Sequence, residues 1–190
     1  MNVKRNLIVC AILTIMLVCV NNGYAQKYSQ NKNQNYFNFG PSGLLAVSDG
    51  KTSPGVGLGA GWNNPRLFKD WLGLGAYLNI LIPFVEDNVG DTQSGIVASI
   101  LVGPSTIAFE RGAFSLPVTL GYHFDFVTAL TAKQGDSIQY AINMGVGAAV
   151  EAVYQFGNSW NVFGRLIAIY NFGDGGEFLL MPAIGAGFKF

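Results

Sequence analysis

Residues Ile138 to Phe156 read Ile-Gln-Tyr-Ala-Ile-Asn-Met-Gly-Val-Gly-Ala-Ala-Val-Glu-Ala-Val-Tyr-Gln-Phe and alternate in character along their whole length. The even positions from Ile138 to Phe156 are apolar, with Tyr140, Tyr154 and Phe156 toward the two ends. The odd positions, Gln139 through Gln155, are mostly small or polar and include Asn143, Gly145, Gly147 and Glu151. Successive side chains of a strand point to opposite faces, so this is one long two-faced strand. Strands of soluble domains are usually about 5–6 residues long, far shorter than this run.

The same period recurs on both sides of it. Phe178, Leu180, Pro182, Ile184, Ala186, Phe188 and Phe190 share one face of the last segment, opposite Leu179, Met181, Ala183, Gly185, Gly187 and Lys189. In Ser115–Phe126, Leu116, Val118, Leu120, Tyr122, Phe124 and Phe126 oppose a face holding Thr119, His123 and Asp125. Gly55–Trp62 sets Val56, Leu58, Ala60 and Trp62 against an all-glycine face. With Tyr36–Val47, Trp71–Phe84, Gly95–Phe109 and Trp160–Phe172 the count is eight; Tyr36–Val47 and Gly95–Phe109 alternate least clearly. A water-soluble barrel is apolar inside and polar outside. Here the face that is not greasy is Gly, Ala and Asn, suited to a narrow interior, and this inversion is the outer-membrane pattern. The fold expected is all-β: an eight-stranded antiparallel up-and-down transmembrane β-barrel over 36–190.

Composition agrees. Half of the 190 residues are hydrophobic, 13% are aromatic and 12% are charged, against about 25% charged in ordinary soluble domains. The one helical candidate is N-terminal. Lys4 and Arg5 precede an apolar run from Leu7 to Val20, and Gly23-Tyr24-Ala25 supplies small residues at the −3 and −1 positions. Residues 1–25 therefore read as a signal peptide, because the run is short of the about 20 residues of a helical span. Residues 26–35 are a polar, flexible leader. Cys10 and Cys19 both fall in the signal, so the mature chain has neither disulfides nor thiolate metal ligands. Met16-Leu17-Val18 lacks the small residue that a lipoprotein signal places before its cysteine. A mature chain without a helical span crosses a membrane only as a closed barrel.

The gaps alternate in kind. Glu110–Phe114, Gly157–Ser159 and the longer Asn63–Asp70 form one set, expected on the periplasmic side. Ser48–Pro54, Glu86–Ser94, Thr131–Ser137 and Gly173–Glu177 form the other, expected outside the cell. The second set carries seven acidic residues (Asp49, Glu86, Asp87, Asp91, Asp136, Asp174, Glu177) against Lys51 and Lys133, a balance of 2 − 7 = −5. Trp62, Trp71 and Trp160 fall near periplasmic strand ends, where one edge of the ring is wet and the other oily.

The closing strand carries a resemblance. Ile184, Ala186, Phe188 and the terminal Phe190 resemble the assembly signal of bacterial outer-membrane barrels, which ends in an aromatic residue. In pattern the whole mature chain resembles small eight-stranded proteins of the OmpX, OmpW and OmpA-membrane-domain type. That resemblance implies outer-membrane lipids, the barrel assembly machinery and periplasmic chaperones as partners, and a monomer without cofactor.

The chemistry available is sparse. Eight strands enclose a bore that side chains fill, so a wide aqueous pore is excluded. The expected interior charges are Asp125, Glu151 and Arg165. Pairing outward from a turn centred on Asn158 sets Glu151 opposite Arg165, an interior salt bridge, since an unpaired buried charge is costly. His123, Asp125 and Asn143 are further lumen polar candidates. The first function expected is a non-enzymatic outer-membrane protein, structural or a narrow channel for small or apolar solutes. The second is a lipid-modifying enzyme resembling a lipid A deacylase, built on His123 with Asp125 and Ser137. The third is a soluble exported barrel with a lipid inside. With one histidine and no mature cysteine, no metal site is expected. The strict alternation of Gly55–Gly61 marks a wall, not a phosphate loop. With 9 Lys+Arg against 11 Asp+Glu after the signal, and no basic patch, nucleic-acid binding has no support. Intact-mass measurement of the protein from the cell envelope should give a chain that begins at Gln26; a mass retaining residues 1–25 would refute cleavage after Ala25.

Overall fold

Period-two segments that carry greasy side chains on one face cannot stand alone, and here they close on one another. The computed structural model describes residues 35–48, 51–86, 92–130, 139–172 and 176–190. The signal at 1–25, the leader up to residue 34, Ser137, and Asp49, Asp87, Asp91, Lys133, Asp136 and Asp174 lie outside the described residues. Eight antiparallel strands follow one another around the wall: β1 Tyr36–Ser48, β2 Lys51–Lys69, β3 Leu72–Glu86, β4 Thr92–Arg111, β5 Phe114–Leu130, β6 Gln139–Phe156, β7 Trp160–Asn171 and β8 Glu177–Lys189. β8 pairs with β1, so no sheet edge is left open. Asn35 and Phe190 exchange backbone hydrogen bonds of 3.3 and 3.1 Å and finish the seam.

Following backbone partners once around from Glu151 passes Arg165, Ala183, Ser42, Gly57, Leu81, Val97 and Val127 and returns to β6 at Ala141. The return is displaced by ten residues (151 − 141), which is the stagger that tilted strands need to close a barrel.

Three expected gaps are corrected. Ser48–Pro54 shrinks because the β1–β2 ladder runs unbroken from Tyr36↔Asn63 to Ser48↔Lys51. Asn63–Asp70 is not a long turn: β2 continues to Lys69 across a bulge that begins at Asn64, and the turn is only Asp70-Trp71. Likewise β4 runs to Arg111, leaving Gly112-Ala113 as the turn; Gly112 and Gly157 sit at φ 60° and 68°, open to glycine at little cost. These short turns, together with Asn35 and Phe190 at the first and last strands, share one rim, the turn end. The other rim is the loop end.

The orientation is the inverted one. Val146 is 43% and Ile184 66% exposed on the outer wall, while Ile167 and Met181 are fully buried inside. β1, whose alternation is weak in sequence, turns Tyr36, Asn38, Ser42, Leu44 and Ala46 inward and Phe39, Pro41 and Leu45 outward. The expectation of an interior made of small and polar residues needs correcting. Leu44, Leu81, Leu101, Ile167, Ile169, Leu179 and Met181 form an apolar cluster inside the bore. Glycine and alanine alone would leave voids there, and these side chains fill them. On the lipid-facing wall, Leu166→Arg should lower the unfolding free energy by about 2–4 kcal/mol relative to Leu166→Ala, read by urea titration in lipid vesicles. An equal effect of the two would refute the orientation.

Candidate functional site

The lumen holds two polar constellations. The first is nearer the turn end. Glu151 on β6 and Arg165 on β7 are backbone partners, and Arg165 Nη1 lies 3.8 Å from Glu151 Oε1. Asn38 Nδ2 on β1 donates to the same Oε1 at 2.9 Å. Arg165 crosses the bore: its guanidinium carbon is 4.9 Å from the ring of Tyr77 on β3, four strands away around the wall, and 5.3 Å from Phe163. Glycine makes that crossing possible. A Cβ on Gly59 would stand 2.7 Å from Arg165 Nη2, and one on Gly61 would collide with Nη1. The all-glycine face of β2 is thus the space that the guanidinium occupies. Tyr77 Oη accepts from Asn63 Nδ2 at 2.9 Å and shares a 3.2 Å hydrogen bond with Thr119; Ser105 Oγ donates to Asn63 Oδ1 at 2.9 Å.

This constellation is not self-sufficient. Among the described residues nine buried side-chain atoms have no hydrogen-bond partner, and seven of them belong to Asn38, Glu151, Asn161 and Arg165. Each such atom costs about 1–3 kcal/mol if it stays unpaired. Seven together would rival a typical net stability of ~5–15 kcal/mol.

The second constellation lies toward the loop end and satisfies itself almost completely. His123 on β5 contacts Ser99 Oγ on β4 through Nε2 at 2.8 Å and Asn171 Oδ1 on β7 through Nδ1 at 3.0 Å. Asn171 Nδ2 donates to Asp125 Oδ2 at 3.0 Å and to Glu177 Oε2 at 3.3 Å. Carboxylate oxygens accept, which fixes the amide orientation of Asn171 and turns its Oδ1 to His123; Nδ1 therefore carries a proton. Asp125 Oδ1 lies 2.9 Å from Nε2. A serine-histidine-acid relay needs the acid on one ring nitrogen and the serine on the other. Here Ser99 and Asp125 meet the same nitrogen, and all three side chains are buried. The arrangement braces β4, β5 and β7.

The sequence candidates fall as follows. Glu151 and Arg165 come together, as do His123 and Asp125. Asn143 stands across from Asp125 in the ladder, half-buried. Ser137 lies outside the described residues. Trp62, Trp71 and Trp160 are at the turn end, the last two more than half exposed. Ile184, Phe188 and Phe190 face outward, and Phe188 packs on Phe37 and Phe190 at centroid distances of 5.4 and 5.6 Å. Sequence reading misses Asn38, Tyr77, Ser99, Asn161 and Asn171, and takes Glu177 for a loop residue. It also misses the ion pair of Arg66 with Glu110, 2.6 Å, at the turn rim. Inner-face parity on each strand is the one signal that points to Ser99, Asn161 and Asn171. Among the described residues no group of three or more His, Cys, Asp or Glu is placed to hold a metal ion.

Glu151→Ala should cost about 3 kcal/mol in urea unfolding, because it strands a buried guanidinium, whereas Glu151→Leu with Arg165→Met should come within about 1 kcal/mol of wild type. Equal losses from the single and the double change would show that the pair is not coupled.

No protein-family model and no curated protein matches the sequence. Solved structures do match in shape. Ail, the attachment invasion locus protein of Yersinia pestis, seen in complex with the heparin analogue sucrose octasulfate, superposes with a TM-score of 0.62 at 12% identity, covering 84% of this chain and 100% of that one. OprG from Pseudomonas aeruginosa gives 0.61 at 11% identity, with coverages of 84% and 97%. Neisserial surface protein A gives 0.55 at 13%, with coverages of 82% and 97%. Identities this low speak for architecture alone: closed wall, strand count and strand order. The chain has the fold of the small eight-stranded outer-membrane β-barrels.

Proposed function

We propose that this chain is a non-enzymatic outer-membrane protein, exported behind a signal peptide cleaved after Ala25, whose lumen is closed and whose role is structural. The observation that carries this reading is the filling of the bore by Leu81, Leu101, Ile167 and Met181, with Arg165 reaching across to Tyr77 on the turn-end side of them. A narrow channel for small or apolar solutes would need these side chains to part. The apolar outer wall supports a lipid environment, and a lipid-binding soluble barrel would need an open interior and a polar exterior. A relay through Ser99 is disfavoured by its sharing of His123 Nε2 with Asp125 and by the burial of both; Ser137, the serine of the enzymatic reading, lies outside the described residues.

In this reading outer-membrane lipids surround the wall, and Trp62, Trp71 and Trp160 sit at the periplasmic interface. Ile184, Ala186, Phe188 and Phe190 present the closing strand to the barrel assembly machinery after periplasmic chaperones deliver the chain. A closed wall without an open edge suits a monomer. No cofactor or nucleic acid enters this scheme. The purified protein should require detergent for extraction, migrate differently on gels before and after boiling, and give no current steps in planar bilayers. Steady ion conductance by the wild type would overturn the closed-lumen reading, and release from washed membranes without detergent would overturn the membrane placement.

A further inference from the structure

We propose that the turn-end half of the bore is a hydrated vestibule held by Arg165, Glu151, Asn38 and Asn161, and that Leu101, Ile167 and Met181 above it are the seal against water and ions. This deepens the closed-lumen reading and rests on it.

The distribution of unsatisfied groups locates the water. Seven of the nine unpartnered buried atoms lie on those four residues; the network around His123 has one, Asp125 Oδ1, which lies 2.9 Å from His123 Nε2. The two charged groups of the lower constellation are 3.8 Å apart, beyond direct hydrogen bonding, with all three guanidinium nitrogens and Glu151 Oε2 unpartnered. A polar contact at that separation is ordinarily bridged by water. A buried water needs two to four polar partners, and this cluster offers both donors and acceptors. The cluster reaches toward the turn rim. Asn161 pairs with Gly187 in the β7–β8 ladder, and a Cβ on Gly187 would collide with Asn38 Oδ1. Asn161 and Asn38 therefore flank one bare stretch of wall, and Asn38 hands on to Glu151. Polar side chains thus run from Asn161 through Asn38 to the ion pair, beside a buried apolar cluster of Tyr36, Val153, Phe163 and Ala183.

Above the ion pair this polar run stops. The next inward residues on β7 and β8 beyond Arg165 and Ala183 are Ile167 and Met181, backbone partners of each other. Leu101 comes from β4 on the far side, with its Cδ1 3.1 Å from the Cβ position of Gly147. All three are essentially without solvent exposure and belong to one apolar cluster. An apolar constriction stops ions by excluding water. In this arrangement the ion pair is not the barrier; it stands in a wet dead end below it.

Two measurements on full-length mature protein test this. In refolded wild type, nuclear magnetic resonance should show water cross-peaks at the Arg165 Nε and Asn161 Nδ2 protons and none at the Ile167 and Met181 methyls. In planar bilayers with potassium chloride, Ile167→Gly with Met181→Gly should give current steps where wild type gives none, while Arg165→Met stays silent. Folding of each variant is checked by the heat-modifiable gel shift, and Ile167→Ala with Met181→Ala replaces the glycine pair if that pair does not fold. Water contacts at the Ile167 or Met181 methyls, or current from Arg165→Met with silence from the seal variants, would overturn the proposal. A silent wild type lacking water contacts at Arg165 and Asn161 would overturn the vestibule alone, whereas a conducting wild type would overturn the closed lumen on which it rests.

Discussion

Closing eight strands on themselves leaves a bore only as wide as the side chains that fill it, and every inward-pointing group must find its complement across that bore. The wall itself makes few other demands, because each strand satisfies the backbone of the next. The interior does. Arg165 is the clearest expression of this constraint: it starts on β7 and ends over Tyr77 on β3, at the far side of the barrel. Tyr77 in turn is held by Asn63 and Thr119, and Glu151 by Asn38. With Ser105 of β4 donating to Asn63, side chains from seven of the eight strands meet in this one constellation.

Glycine on β2 is the counterpart of that crossing. Gly59 and Gly61 leave room that a methyl group would remove, so a large charged side chain on one wall is matched by bare backbone on the other. The same matching recurs where Leu101 packs toward Gly147 and where Asn38 covers Gly187. Glycine-rich strand faces in such a barrel are therefore the imprint of large residues elsewhere in the bore, not signs of flexibility or of a ligand loop.

The interior is asymmetric along its axis. Toward the loop end a hydrogen-bonded group around His123 sits beside an apolar cluster, and its groups find partners in one another. Toward the turn end the polar atoms outnumber the partners available to them. Functional chemistry of the relay type requires an exposed nucleophile and an acid on the opposite ring nitrogen, and among the described residues the His123 network has neither. The described residues form an apolar outer wall around an interior filled by side chains.

Parity along single strands is local information, because side chains alternate whatever the fold; hence the strand count, the inverted orientation and the inner positions of His123, Asp125, Glu151 and Arg165 are all readable from residue order. Register is local too where a turn is short and unbroken: partners on β6 and β7 keep one offset from Phe156↔Trp160 to Gly145↔Asn171, which carries Glu151 to Arg165. Elsewhere that logic fails for a physical reason. On β4 and β5 the offset set at Arg111↔Phe114 shifts by one between Phe109↔Leu116 and Ile107↔Pro117, and a one-residue slip changes which residues stand opposite each other. Counting from the turn therefore sets Ser99 against Phe126 instead of Asp125, and its place beside His123 is lost. Contacts such as Asn38 with Glu151, 113 residues apart, depend on the ten-residue stagger that closes the wall. That stagger is a property of all eight strands at once; no segment carries it alone, so only the closed barrel determines which inward side chains meet.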